Sequence, residues 1–311
     1  MLPEFNSLTA MLERFPDEQS CIDYLTEVRW RNGAFCPHCG SIRVYHFKDG
    51  RLHKCGDCRQ KFSIKVGTIF EDSKIPLQKW FLAIYLITSH KKGISSLQLS
   101  RDLGVTQKTG WFMLHRLREA TQTSAFKAPL KNSVEADETY IGGKEKNKHA
   151  SKRQDGTQGR STKTKSIGVV LLERGGELRV FQAPDTSRKT LHSLVASHVA
   201  LGSKVMTDEH VGYKGLSVFY LHSSVNHTGG QYVIGDAHTN TAEGFFSILK
   251  RGVIGIYHFV SKKHLQRYLN EFAFRYNIRQ ESNGTGFVSL LCNCDRRLTY
   301  KALIAGETNE F

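Results

Sequence analysis

Apolar residues follow two different rhythms along this chain. Between residues 5 and 31 they recur at helical spacing and predict two short helices. The second opens at Pro16-Asp17-Glu18 and has Ile22, Leu25, Val28 and Trp30 among its apolar positions. Residues 34–66 carry shorter runs in a strand-and-turn setting, with strands expected at 43–47 and 61–66. Residues 77–119 return to a helical pattern, broken at Gly93 and Gly104. From Ser133 the pattern becomes that of strands, expected at 133–141, 166–173 and 177–183. A helix over 188–199, a strand over 203–208, a strand near 218–226 and helices over 241–251 and 261–278 follow. Strands that alternate with helices predict an α/β or mixed sheet domain. There is no internal repeat and no heptad pattern.

Composition narrows the class of protein. A chain of 311 residues, 39% hydrophobic and 10% aromatic, holds one large core plus smaller modules. Its 44 Lys and Arg against 29 Asp and Glu leave a net charge of +15, and the pI is near 9.5. That field favours a polyanionic partner through counterion release. A ribosome- or membrane-associated protein, or a merely solvated basic surface, is the plainer reading. The loop 144–165 concentrates the charge, with eight Lys or Arg against two acids, and suits a nucleic-acid backbone. The longest apolar run, residues 80–87, is far short of the roughly 18–20 residues of a membrane span. The first residues carry no basic segment leading into an apolar one, so no secretory signal is expected. A cytoplasmic protein is expected, without membrane association, and there paired cysteines serve as metal ligands more often than as disulfides.

Cys36-Pro-His-Cys39 and Cys55-Gly-Asp-Cys58 are two Cys-x2-Cys knuckles separated by fifteen residues. Each knuckle presents two thiolates on one tight turn, and two of them close a tetrahedral Zn²⁺ site. Four protein ligands leave no position for water, so this zinc is expected to be structural. Four buried thiols or a redox pair is the alternative. His38 and His53 lie nearby, and Cys21, Cys292 and Cys294 lack a second pair at ligand spacing.

Residues 95–118 have the rhythm of a helix-turn-helix. Ser95 or Ser96 caps the first helix, Gly104 makes the turn, and Thr106 caps the second. Leu97, Leu103, Val105, Trp111 and Leu114 are the expected small core. Gln107, Lys108 and Thr109 then begin a recognition helix, where DNA bases are read. An ordinary helical hairpin with a wet basic face is the alternative.

Three acids stand out by context. Asp137 falls inside the strand Val134-Glu-Ala-Asp137-Glu-Thr-Tyr-Ile, where a carboxylate is costly to bury without a cation or partner. Glu135 and Glu138 are rivals that periodicity does not dismiss. Asp208 ends a strand, the place where open sheets bind ligands. Glu243 opens a helix, where it serves either as a metal ligand or as a partner of the helix dipole. Lys250, seven residues on, shares its face, and Arg251 follows.

Taken together, these residues resemble the DDE transposases of bacterial insertion sequences, in the group with an N-terminal zinc ribbon. The likeness runs through Cys36-Pro-His-Cys39-Gly, the second knuckle with Lys61-Phe-Ser and Gly67-Thr-Ile-Phe, and Ala136-Asp-Glu-Thr-Tyr-Ile-Gly-Gly143. It continues through Thr207-Asp208, His238-Thr-Asn-Thr-Ala-Glu243-Gly-Phe-Phe-Ser and Leu265-Gln-Arg-Tyr-Leu-Asn-Glu-Phe-Ala-Phe-Arg-Tyr-Asn277. The resemblance implies a multidomain chain: N-terminal helices (1–33), zinc ribbon (34–72), helix-turn-helix (73–125), an α/β RNase H-like catalytic core of the retroviral integrase superfamily (130–285), and a C-terminal tail (286–311).

It further implies that Asp137, Asp208 and Glu243 are catalytic and hold Mg²⁺ (or Mn²⁺). Two ions there perform DNA cleavage and strand transfer. The implied partners are double-stranded DNA, at the element's terminal inverted repeats and at the target, and a second copy of the chain on that DNA. Binding would draw the cytoplasmic protein to the nucleoid. Lys250 and Arg251 are expected to grip phosphate; for His227 and His238 a part near the site and an ordinary polar role both stay open. Two alternatives share these features: an RNase H-like nuclease or resolvase without strand transfer, and a zinc-ribbon DNA-binding regulator with an inactive catalytic domain.

Overall fold

The computed structural model describes residues 5–122, 128–143, 145–154, 161, 163–225 and 238–305. The chain begins with helices α1 (Leu8–Arg14) and α2 (Glu18–Arg29), then strands β1 (Val44–His46), β2 (Leu52–Cys55) and β3 (Lys61–Ser63). Helices α3 (Leu77–Ser89), α4 (Ser96–Leu103) and α5 (Gln107–Ala120) follow. Next come β4 (Ser133–Ile141), β5 (Ser166–Glu173), β6 (Leu178–Ala183), helix α6 (Arg188–His198), β7 (Lys204–Asp208) and β8 (Leu221–Val225). Helices α7 (Asn240–Gly252), α8 (Leu265–Asn277), α9 (Asn283–Leu291) and α10 (Tyr300–Ala305) complete it. Two compact units result: residues 1–122 with 280–311, and residues 123–279.

The first unit starts from well-capped helices. Ser7 accepts a hydrogen bond from the Ala10 N–H, and Asp17 and Ser20 form a capping box on α2. Its centre is aromatic: Phe15 packs edge-on against Phe81 at 5.0 Å and stacks on Phe287 at 5.8 Å, while Phe5 meets Phe287 at 5.3 Å. Each of these rings is buried, which stabilises the unit by about 1.5–3 kcal/mol apiece. Phe287 lies on α9, so the segment after residue 280, expected as a tail from 286, carries two helices and part of this core. The three ribbon strands pair antiparallel in sequence order. Strand β2 was not expected, and β3 stops at Ser63 because a turn bonds the Val66 N–H to the Ser63 carbonyl.

In the second unit five strands lie in the order β6-β5-β4-β7-β8. Strands β4, β5 and β6 are antiparallel neighbours, whereas β4, β7 and β8 run parallel. This is the RNase H-like arrangement expected from the sequence. One face buries Val134, Ala136, Val169, Leu171 and Val205 with Leu191 and Val195 of α6. The other buries Val170 and Leu172 beneath Ala242, Phe245 and Leu249 of α7 and Leu269 and Phe272 of α8. The expected strand near 218–226 is shorter, because a 3-10 turn at Leu216–Val218 occupies its start. The last long helix is likewise preceded by a 3-10 turn, Lys262–His264.

Candidate active site

Strand periodicity assigns the acids of β4. Ala136 and Val134 face the α6 side and Ile141 the α7 side, so Glu135 and Asp137 face α7, and Glu138 faces the other way. The parallel pairing of β4 with β7 ends at Glu135↔Met206. The same register carried two residues further sets Asp137 level with Asp208, where the two strands part. Glu243 stands in the first turn of α7, on its exposed side. The fold thus brings Asp137, Asp208 and Glu243 to one end of the sheet.

Burial is the main reason that Asp137 holds its proton unusually strongly, its pKa rising from 3.8 to about 8. The charges of Glu138, Asp208 and Glu243 push the same way, against one hydrogen bond donated by the Glu138 N–H at 2.8 Å. Asp208 accepts a hydrogen bond from the His210 N–H at 2.9 Å. A half-hidden group of carboxylates that repel one another is relieved by a hard divalent cation, and oxygen donors are the ligands such a cation takes. Oxygen donors of this kind suit Mg²⁺, although among the described residues the three carboxylates are not drawn within 4.8 Å of one another as the cysteine sulfurs are.

Glu135, one of the two rivals, has another role. Its carboxylate is fully buried and accepts hydrogen bonds from the Thr241 N–H, the Thr241 hydroxyl and the Ala242 N–H, each at 3.0 Å. Arg174 Nε donates to it at 2.7 Å, and the same guanidinium donates to the His238 carbonyl at 2.9 Å. The N-cap residue of α7, Thr239, makes no side-chain cap bond, so a strand residue caps the helix instead. This relieves Glu243 of the capping role that its position offered. His238 Nδ1 lies 3.4 Å from Glu135, and its carbonyl is part of the same clamp. His227 lies outside the described residues. The only sequence signal for the clamp is the two-residue spacing from Glu135 to Asp137, which puts both on one face.

A cleft of about 460 Å³ opens beside Asp208, lined by Glu209, His210, Tyr213, Lys214, His222 and Ser224. Thr207 donates its hydroxyl proton to the Asp208 carbonyl at 2.8 Å, so His222 Nε2, 3.0 Å away, must be the donor to Thr207. Burial, and then the nearby His192, push the His222 pKa down, which favours the neutral imidazole. Tyr213 is wholly buried under the acids. Burial first, then Glu138, Asp137 and Asp208, holds its hydroxyl proton well beyond the usual range.

In the ribbon, Cys36 and Cys58 sulfurs are 3.7 Å apart and Cys39 and Cys55 sulfurs 3.6 Å. A tetrahedron with Zn–S bonds of about 2.3 Å has sulfurs about 3.8 Å apart, so the cage matches zinc. Among the described residues these four form a group of metal-capable atoms all within 4.8 Å of one another. Burial opposes ionisation of Cys55, but N–H groups of Cys58 and Asp57, each 3.4 Å from its sulfur, help pull its pKa down to about 6. His53 is buried against Trp30 and pairs with His46 at 3.1 Å, apart from the cage.

Helices α4 and α5, joined at Gly104, have the expected caps. Ser95 accepts from the Gln98 N–H, Thr106 accepts from the Thr109 N–H, and Gly104 adopts φ 59°. Gly110 packs so closely on α4 that a Cβ would sit 2.8 Å from the Ser96 carbonyl. Leu97 departs from the expected core and is exposed, whereas Leu103 and Leu114 are buried. Lys108 is exposed, Gln107 bonds to the Ser96 hydroxyl at 2.8 Å, and Thr109 bonds to Thr106 at 2.9 Å. Lys250 and Arg251 are exposed in the last turn of α7.

The sequence profile of the ISXO2-like transposase domain matches residues 129–277, and that of the transposase zinc-ribbon domain matches residues 16–61. An uncharacterised protein in transposable element ISH50 of Halobacterium salinarum is 32% identical over 276 residues, spanning 85% of this chain and 92% of the relative. Two solved structures align at 13% identity. The Mos1 strand transfer complex covers 74% of this chain and 79% of that chain with a TM-score of 0.28. A pre-cleavage Mos1 transpososome covers 74% and 80% with a TM-score of 0.27. With a relative that close over nearly its full length, and both profiles matched in order, the chain belongs to the ISXO2-like transposases with an N-terminal zinc ribbon.

Proposed function

We propose that this transposase cuts DNA at the ends of its insertion sequence and joins the freed 3′-hydroxyl to target DNA. The observation that carries the reading is the half-buried Asp137, level with Asp208 at one end of the sheet inside the matched transposase domain, its carboxyl pushed up by burial and by neighbouring carboxylates. Such a carboxylate is maintained at a cost that catalysis explains. In this reading Asp137, Asp208 and Glu243 hold Mg²⁺ or Mn²⁺, which supplies Lewis-acid charge at the phosphoryl oxygens and acidifies bound water. Water attacks the phosphorus at the element end, the P–O3′ bond breaks, and a 3′-hydroxyl is left. That hydroxyl then attacks a target phosphorus, forms a new P–O bond and releases a target 3′-hydroxyl. Glu135 and Arg174 keep α7, and hence Glu243, in place through both steps. Lys250 and Arg251 hold phosphates, while Gln107, Lys108 and Thr109 contact the terminal repeat. Cys36, Cys39, Cys55 and Cys58 hold a structural zinc. Two ends have to be paired for joining, so the active form on DNA contains at least two copies.

The test is to give the purified protein, with Mg²⁺, a duplex carrying the inverted repeat that flanks its gene, together with supercoiled plasmid. Terminal nicking and joined product are expected from the parent, and neither from Asp137→Asn. Nicking without any joined product would favour the nuclease reading. DNA binding without chemistry in the parent would favour a regulator.

A further inference from the structure

The exposed face of α7 does not end with Arg251. Glu243, Ser247, Lys250, Arg251 and Ile254 follow one another at spacings of three or four residues or are adjacent, and all are exposed. The opposite face, with Ala242, Phe245, Phe246, Leu249 and Val253, is buried on the sheet. At Val253 the helix widens into a π-helical turn, Val253–Tyr257, and stops at His258 with φ 58°, a left-handed value that a non-glycine residue seldom takes. That geometry sends neighbouring side chains to opposite sides. Tyr257 turns inward, donating to Glu271 at 2.5 Å and packing edge-on against Tyr268 at 4.8 Å. Phe259 turns outward with 79% of its surface exposed, and Ile254 is 70% exposed. Lys262 and Lys263 follow, both exposed, and no Asp or Glu occurs between Gly244 and Asn270.

A bare phenylalanine held outward by an anchored turn, among cations and continuous with the helix face of Glu243, matches a wedge for bases better than a solvated loop. We infer that Phe259, seconded by Ile254, packs against a base of the terminal DNA while Lys250 and Arg251 hold the intervening phosphates. Ile254 stands eleven residues beyond Glu243. At a rise of 1.5 Å per residue that is roughly 16 Å, or about five nucleotides at 3.4 Å each, from the cleaved phosphate. The occupant is DNA because the charge is uniformly positive and the track leads to the acids. This rests on the proposed DNA-cutting reading and adds a base contact to it.

The test uses full-length protein in the Asp137→Asn background, so that the DNA stays intact. The probe is the flanking terminal repeat with 2-aminopurine placed in turn at each position near the cleavage point. A fluorescence rise confined to one or two adjacent positions is expected, lost in Phe259→Ala and kept in Phe259→Trp. Phe259→Ala should also weaken duplex binding about tenfold, the usual order for one base–aromatic contact. No rise at any position, or the same rise in Phe259→Ala, overturns the wedge. If sedimentation without DNA differs between Phe259→Ala and its parent, the patch is a contact between copies and the DNA assignment falls. The underlying reading is checked separately with Asp137 intact and Mg²⁺ present. Cutting with a flat fluorescence profile removes only the wedge, whereas no cutting removes both.

Discussion

The four cysteines and the three carboxylates are built by opposite means. The cysteines lie within 23 residues of chain, on two tight turns, and their sulfurs already stand at tetrahedral spacing. The carboxylates come from two strands and a helix spread over 107 residues, and the sheet has to form before they meet. Ionisation of Cys55 is helped by the N–H groups aimed at its sulfur, whereas that of Asp137 is opposed by burial and by its neighbours. A closed cage made of local turns gives stability on binding its ion. An open group made of distant elements costs stability until charge arrives.

The difference can be broken most severely at the cage. Removing zinc with a chelator, or making Cys55→Ser, should unfold the ribbon, because structural zinc contributes on the order of 10 kcal/mol to such modules. Zinc content, and terminal-repeat binding with it, should fall together; retention of both in Cys55→Ser would refute the cage. Second in size is Asp137→Asn, expected to reduce strand joining below detection while raising the melting temperature of the metal-free protein at pH 8. The sign follows from the raised pKa: the folded form binds a proton that the unfolded chain releases above about pH 4, so stability falls as pH climbs from about 4 to about 8. Asparagine abolishes that slope, and each kcal/mol recovered should appear as roughly 2–4 °C. A parent melting curve that is flat over this pH range without metal would contradict it.

Third, Glu135→Gln keeps the shape of the clamp but loses its charge beside Arg174 and the α7 amides. Mn²⁺ affinity, read by calorimetry, should drop about 10–100-fold, the range for partners that orient metal ligands. Unchanged affinity with lowered thermal stability would make Glu135 structural alone. The smallest effect belongs to Lys108→Ala: the slope of log affinity against log salt should diminish by about 1 if Lys108 meets a phosphate. An unchanged slope would move the recognition helix away from the backbone at that point.

Local chemistry was legible and long-range geometry was not. The knuckles, the caps at Ser95 and Thr106 and the left-handed Gly104 depend on neighbours within a few residues, and the structure has them at those positions. Which of Glu135, Asp137 and Glu138 faces α7 depends on what packs on each side of β4, and no local pattern states that. Leu97 belonged by spacing to the small core, but it lies on the solvent side of α4 and stays exposed. Strand β2, Leu-His-Lys-Cys, was hidden because its residues alternate between the ribbon core and solvent over only four positions.

Phe287 completes an aromatic cluster whose other members, Phe5, Phe15 and Phe81, are made long before it. The segment 123–279 lies between them in the chain and forms a unit of its own. A ribosome moving at about 5–20 residues per second needs on the order of ten seconds to cross that stretch. During that interval the amino-terminal aromatic residues have no lid, and the unit that carries the helix-turn-helix is incomplete. A product truncated before Phe287 would therefore lack part of its amino-terminal core: the chain withholds a finished amino-terminal unit until its transposase domain has been synthesised.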